Sequence, residues 1–313
     1  MLVRRPAIDT PSRVALAQRV LGWIIARKDL FRLAISDDAS RVRLVKPLGE
    51  LTILAGTAKM LSKQTIIPNA LSDQLLQFCW DELNGGDLLA ELIRRYPSCL
   101  IFVSVYAVLF SNGFFCERLH AAILEKTSVR GYCEIELPAW QQLDVGVALD
   151  ELGITSPWNV TELYERTWLG QRLEPWSAWP GAAYSVTHTV FSVTRMGRAT
   201  DKLPEASQEY LRLWMPVWQV FYAQLQQFDL LSELVATAHC AGFQCDDVDF
   251  FEILKSHQCK DGHIPSPEGA TRSVCIGETA PERIYFLEQY HTSIVALLAM
   301  LFELEHGAER PDK

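Results

Sequence analysis

The sequence lacks most of the marks from which chemistry can be read directly. It has no Gly-rich phosphate loop ending in GK[ST], no HExxH, no GxSxG and no pair of cysteines at CxxC spacing. Positive charge is also in short supply. Lys and Arg number 29 against 38 Asp and Glu, for a net charge of -9. The small basic groups Arg4–Arg5, Arg41–Arg43 and Arg94–Arg95 lie among acids, so nucleic acid is not an expected partner. The strongest apolar run, SCLIFVSVYAVLF at 98–110, falls short of the roughly 20 residues a bilayer span requires. A buried helix is expected there and no membrane span. The opening MLVRRPAIDTPSR has no apolar core of a secretory signal, and the eight cysteines are irregularly spaced. Reduced thiols and a cytoplasmic location are the expectation.

What the chain does have is apolar material with helical rhythm. Hydrophobic residues make up 49% of the 313, enough for a sizeable core. Period-2 alternation is nearly absent. Val14, Leu16, Val20, Leu21, Ile24 and Ile25 recur at helical intervals behind Ser12, a candidate N-cap. Further helices are expected near 47–62, 71–83, 86–95, 98–110, 116–126, 138–152, 159–168, 181–196, 205–227, 229–241, 246–258 and 288–304. Ser72 and Asp73, Asp87, and Pro204 with Glu205 and Ser207 read as helix starts, and Pro216 as a kink. CEIELPAW, near 133–140, is the only strand-like phrase. The fold class is therefore all-α. Two interruptions, 173–184 and 260–284, have aromatic or apolar flanks unlike a flexible linker. One domain over 1–313 is the simpler organisation. Its half at about 12–170 holds helical pairs, and its half at about 181–305 carries the candidate site.

Two helices combine polar and apolar residues in a way that suggests a cavity wall. In YSVTHTVFSVTRMGR, 184–198, Tyr184, Thr187 or His188, and Phe191 share one stripe. In YFLEQYHTSIVALLAM, 285–300, Tyr290, His291 and Thr292 stand at the start of a very apolar helix. A histidine on such a stripe is commonly a satisfied core residue; polar neighbours one turn away point instead to an imidazole facing a cavity.

These residues carry a resemblance. Gln258, three residues, Gly262, one residue and Ile264 resemble the Gln-x3-Gly-x-aromatic turn of terpene cyclases and protein prenyltransferases, and Asp261-Gly262 resembles their Asp-Gly turn. YHTSIVAL resembles the Tyr-His-Thr helix that supplies a zinc-binding histidine in prenyltransferase β subunits, a histidine to which His291 would correspond. The Tyr-x-x-Thr-His and Tyr-His-Thr helices also resemble those of a poorly characterised bacterial family. The likeness spans about 180–305. It implies an α/α toroid or barrel of about a dozen paired helices. Zinc is not implied, because Gly181-Ala182-Ala183 stands before Tyr184-Ser185 where those prenyltransferases carry Asp-x-Cys ahead of Tyr-Ser. The Asp-x-Asp-Asp acid of class II cyclases is absent too.

A third grouping, 238–263, concentrates His239, Cys240, Cys245, Asp246, Asp247, Asp249, His257, Cys259 and His263. Cys240, Cys245, Cys259 and His263 could close a zinc site, and the three acids a magnesium site. Asp246 and Asp247 read equally as a helix cap with first-turn acids, so no cofactor is expected, zinc being the alternative. Trp168, Trp176 and Trp179 precede the YSVTH helix and either line an apolar cavity with Phe191 or pack helices together.

The expected function is an enzyme of specialised metabolism that cyclises, rearranges or eliminates from a hydrophobic small molecule or modified peptide. His188 and His291 would be its acid–base groups, with Tyr184 and Tyr290 as their hydrogen-bond partners. Thr187, Phe191, Trp176, Trp179, Thr292 and Asp261 would contact substrate, with 260–284 as a lid. The rivals are a non-catalytic helical module for a peptide or partner enzyme, and a zinc-dependent enzyme. A homodimer is compatible with either enzyme reading.

Overall fold

In a computed structural model the described residues are 9–33, 38–61, 63, 66–267 and 275–306. Among them are fifteen α-helices and no strand. They are α1 Thr10–Ala26, α2 Asp38–Met60, α3 Asn69–Glu82, α4 Asp87–Arg95, α5 Val103–Ser111, α6 Glu117–Thr127, α7 Arg130–Cys133 and α8 Ala139–Glu151. The second half adds α9 Val160–Glu165, α10 Trp168–Gln171, α11 Pro180–Val193, α12 Glu205–Gln224, α13 Phe228–Cys240, α14 Phe250–His257 and α15 Pro281–His306. The strand-like phrase at 133–140 holds no strand: a short helical turn ends at Cys133 and Pro138 leads into α8.

Six of these helices touch one another in a closed circuit: α2 with α5, α5 with α8, α8 with α11, α11 with α13, α13 with α15, and α15 with α2. Their side-chain pairs give the direction of travel. Tyr184 meets Asp229 and Thr187 meets Glu233. Trp140 meets His188 and Asp144 meets Ser192. Glu50 meets His291, and Lys63, just past the end of α2, meets Glu305. In each case the partners advance together, so the circuit helices run parallel. The intervening helices pack on them: α1 on α15, α3 on α2, α9 on α8, and α12 on α13.

Sequence explains which helices are inside. Every residue of α13 is buried, including Asp229, Ser232, Glu233, Thr237 and His239. Eight of its thirteen residues are hydrophobic and spread round the helix, and Ser232 and Thr237 meet the buried setting by donating to carbonyls one turn back. The α2–α5 crossing depends on two missing side chains. A Cβ on Gly49 would come within 2.7 Å of Val105, and one on Gly56 within 2.5 Å of Val108. α15 is long and apolar enough to cross a membrane, but 72% of its most apolar window is buried, against α1, α2 and α13.

Helix starts differ from the sequence reading in three places. Asp9, not Ser12, caps α1, its carboxylate accepting from the Ser12 N–H at 2.9 Å. α3 begins behind Pro68, which places Ser72 inside its first turn. Asp249, rather than Asp246 or Asp247, caps α14 through the Glu252 N–H at 3.0 Å. A carboxylate three residues before the N–H it accepts from has the reach of a cap; Asp246 and Asp247 stand too early in the chain.

Candidate functional site

The parallel directions place the first turns of several circuit helices at one level, and polar side chains gather there. Asp229 lies in the first turn of α13, and Glu233 one turn further. Trp140 lies in the first turn of α8 and Tyr184 in the second turn of α11. The partial positive charge of a helix N-terminus lowers the cost of housing carboxylates at such a level.

Glu233 is the hub. Its side chain is only 3% exposed. Thr187 donates to Oε2 at 2.6 Å. His291 Nε2 lies 3.6 Å from Oε1 and His188 Nε2 lies 4.0 Å from Oε2. Burial raises the Glu233 pKa to about 7, against the opposing influence of His291 and the Thr187 hydrogen bond, with Asp229 and Glu50 adding to the rise. Behind His291 stands Glu50, whose Oε2 is 2.8 Å from Nδ1, and Lys46 lies 3.8 Å from the other Glu50 oxygen. Burial alone would lift the Glu50 pKa, but His291 outweighs it and the carboxyl is held below its ordinary value. The converse holds for His291: burial disfavours its charge, and Glu50 with Glu233 raises its pKa nonetheless. Each group thus favours the charged form of the other, in a part-buried carboxylate–imidazole pair.

His188 has the opposite character. Burial, with Lys46 and His291 nearby, lowers its pKa to about 4, so it is neutral at pH 7. Its imidazole is 42% exposed, with neighbours on α8, α11 and α13. Trp140 lies with its ring centroid 4.7 Å away, Phe191 at 6.1 Å and Tyr184 at 6.5 Å. Tyr184 donates to Asp229 at 2.5 Å, and burial together with that charge pushes its phenol far up. Tyr290 is fully buried, and burial beside Glu50 likewise keeps it protonated. Asp144, raised chiefly by burial, accepts from Ser192 at 2.8 Å and continues the polar wall.

The structure thus brings together Tyr184, Thr187, His188, Phe191, Tyr290 and His291 of the residues singled out from sequence. Others are elsewhere. Trp176, in the 175–177 turn, and Trp179, at the start of α11, are 81% and 60% exposed. Trp168 packs against Trp218 and Tyr210. Thr292, although next to His291, shares a hydrogen bond with Ser266 at 2.7 Å. Asp261 is taken up by Trp23, Arg27 and His263.

That last group explains the Gln258–Gly262 turn. Gln258 donates to the Gly262 carbonyl at 2.7 Å and to Leu16 at 3.3 Å. Gly262 has φ +110°, and a Cβ there would lie 2.5 Å from the Arg19 carbonyl. The turn is a staple between α14 and α1. Residues 268–274 of the expected lid lie outside the described residues.

Cys240, Cys245, Cys259 and His263 are spread over the end of α13, the loop before α14 and the turn after it. Burial raises the Cys240 and Cys259 thiols, and Cys245 to about 12. His263 Nδ1 is engaged by Asp261 at 2.6 Å. Among the described residues no group of three or more His, Cys, Asp or Glu has a metal-holding arrangement.

Sequence reasoning missed Glu50, Asp229, Glu233, Lys46 and Trp140. The signal for two of them was present: DLLSELVATAHC sets Asp229 and Glu233 one turn apart in an otherwise apolar helix, and acids are rarely buried there without a role.

A family model described as a domain of unknown function, DUF6895, matches residues 17–301 and so covers every residue of the site. No curated protein and no solved structure matches the chain.

Proposed function

Because the chain belongs to the DUF6895 family, whose description assigns no activity, we propose its function from the site itself: acid–base catalysis on a hydrophobic small molecule or modified peptide held inside an α/α toroid. The observation that carries this is Glu233, a nearly fully buried carboxyl with its pKa pushed to about 7, lying 3.6 Å and 4.0 Å from two histidines whose own pKa values are displaced in opposite directions. A proton carrier works best when its pKa lies near the ambient pH. Separated acid and base character in adjacent groups is the usual mark of such a site.

In this reading Glu233 takes a proton from the substrate and returns it, or passes it to neutral His188. His291, charged and fixed by Glu50, stabilises the negative charge that develops beside Glu233. Trp140, Tyr184 and Phe191 supply apolar walls. Reactions of this kind are isomerisation, cyclisation or elimination, which need proton movement and no external electron acceptor.

The test is a thermal-shift screen of hydrophobic small molecules and peptides on the full chain, followed by mass spectrometry of every binder. An isomerised or dehydrated product, lost in Glu233→Gln, supports the proposal. Binders that bind Glu233→Gln equally well and are never converted by the wild type would make the protein a non-catalytic binding module. Elemental analysis of the same preparation addresses the zinc-dependent alternative. One equivalent of zinc, lost in His188→Ala or His291→Ala, would replace proton chemistry by metal chemistry.

A further inference from the structure

The outer helix α12 turns an unusual face to solvent. Leu213, Val217, Phe221 and Leu225, at the end of the helix, follow one another at four-residue intervals, and all are exposed. Such residues form a single ridge along the helix. No charged residue occurs from Leu213 to Gln227. The 175–178 segment runs beside this ridge, held by Trp218 Nε1 donating to the Pro175 carbonyl and the Tyr222 hydroxyl donating to Ala178. Trp176 in it and Trp179 just after it are the two most exposed tryptophans of the described residues. Neither the central site nor the packing of α12 on α13 uses these side chains, since α12 buries Leu211, Met215, Trp218 and Tyr222 instead.

The area is large for a free surface. With Trp176 81%, Trp179 60% and Phe221 48% exposed, these three rings offer about 400 Å², taking roughly 200 Å² for a whole aromatic side chain. Leu213, Val217 and Leu225 are each more than half exposed and extend the patch. A stable interface takes about 800 Å² from each partner, and a monomer's largest apolar patch is typically about 300–600 Å².

We propose that this face pairs with the same face of a second copy, making the protein a homodimer about a two-fold axis across α12. Three features favour a second copy as the occupant. The ridge is of the i±4 kind that interdigitates with its own like at about 50° in the commonest helix packing. A two-fold axis perpendicular to this face runs the two ridges antiparallel, with Leu213 of each copy toward Leu225 of the other, so that Glu209 lies beyond the contact and Arg212 at its edge. The copies also carry a net charge of -9 each, and an uncharged strip is where two such molecules approach without burying like charges.

The experiment is sedimentation velocity of the full chain over a range of micromolar concentrations, beside Val217→Glu/Phe221→Glu and, as a control on a different face, Leu124→Glu. The wild type and Leu124→Glu should sediment at twice the 35.4 kDa chain mass, and the double variant as a monomer with unchanged circular dichroism. Should the double variant misfold, Trp176→Ser/Trp179→Ser, which changes only exposed side chains, must weaken the dimer at least tenfold. A wild type that stays monomeric overturns the proposal; if that monomer binds phosphatidylcholine vesicles, the face belongs to a lipid surface instead. A dimer that survives both sets of substitutions overturns it equally.

Discussion

His291 Nδ1 stands 2.8 Å from Glu50 Oε2, so the last described helix of the chain is tied to the second by a part-buried carboxylate–imidazole contact. The other imidazole nitrogen is left toward Glu233. Glu50 therefore fixes which way the ring points and keeps it charged, and Glu233 feels a cation whose position is set from behind.

Replacing Glu50 by Gln should lower the His291 pKa and loosen α2 from α15. Removing one partner of a buried pair costs on the order of 3 kcal/mol. Its pH dependence follows from the two directions. His291 is raised above 6.5, so its contribution is full below that value and is lost as pH rises through its folded pKa. Glu50 is lowered below 4.5, so its contribution is full above 4.5 and is lost as pH falls through its folded pKa. Urea unfolding of both proteins at pH 5.5 and pH 9 should show the variant's deficit at the first and a smaller one at the second. Equal stability at pH 5.5 would refute the pair.

Gly262→Ala tests the staple after α14. Its φ of +110° and the 2.5 Å approach of a Cβ to the Arg19 carbonyl both oppose a side chain, and backbone is the obstacle. A loss of about 1–3 kcal/mol is expected, read as a lowered midpoint in chemical denaturation. An unchanged midpoint would mean that the turn tolerates a methyl and does not pin α14 to α1.

How much of this was legible in the sequence varies by feature. The helices came through because a 3.6-residue rhythm is local, and Pro138, Pro180 and Pro204 mark their starts. His188 and His291 stood out because each begins an apolar stretch beside tyrosine and threonine. Glu233 and Glu50 did not, since an acid in a helix reads as a solvated face until the opposing helix is known. Trp176 and Trp179 misled for the same reason in reverse: a tryptophan's hydrophobicity says nothing of which side of a helix pair it occupies. Asp261 drew notice as part of a turn, and its task there is to hold α1. Pairings such as Glu50 with His291 span 241 residues, a separation over which no periodicity carries information.

Glu233→Gln separates the catalytic reading from simple packing. A carboxyl held at about 7 against an ordinary 4.5 costs the folded state about 3 kcal/mol once ionised. Between those values the folded chain binds a proton that the unfolded chain has released, so stability falls as pH rises through the window. Gln keeps an acceptor for Thr187 and never ionises. The variant should melt higher than the wild type at pH 8 and match it at pH 4, while losing turnover of any substrate by roughly 10²–10⁴. A lower melting temperature at pH 8 would show that Glu233 is held as a stabilising carboxylate, and proton carriage by it would be abandoned.

His188 decides whether the site holds a neutral base. Its pKa of about 4 arises first from burial and next from the positive charges of Lys46 and His291. Lys46 is the accessible lever, because it is exposed and lies 3.8 Å from Glu50. Nuclear magnetic resonance of the histidine Cε1–H signals, assigned through His188→Gln, should show no titration of His188 between pH 5 and pH 8. In Lys46→Met the His188 midpoint should rise, since one repelling cation is gone, although the better-exposed Glu50 charge contributes to the same movement. His291 should titrate on the opposite side of 6.5 in both proteins. If His188 instead titrates near 6.5 in the wild type, it is solvated like a surface imidazole. The interior of the circuit would then be wet enough to level the difference between the two histidines, and the acid and base assigned to them would have no physical basis.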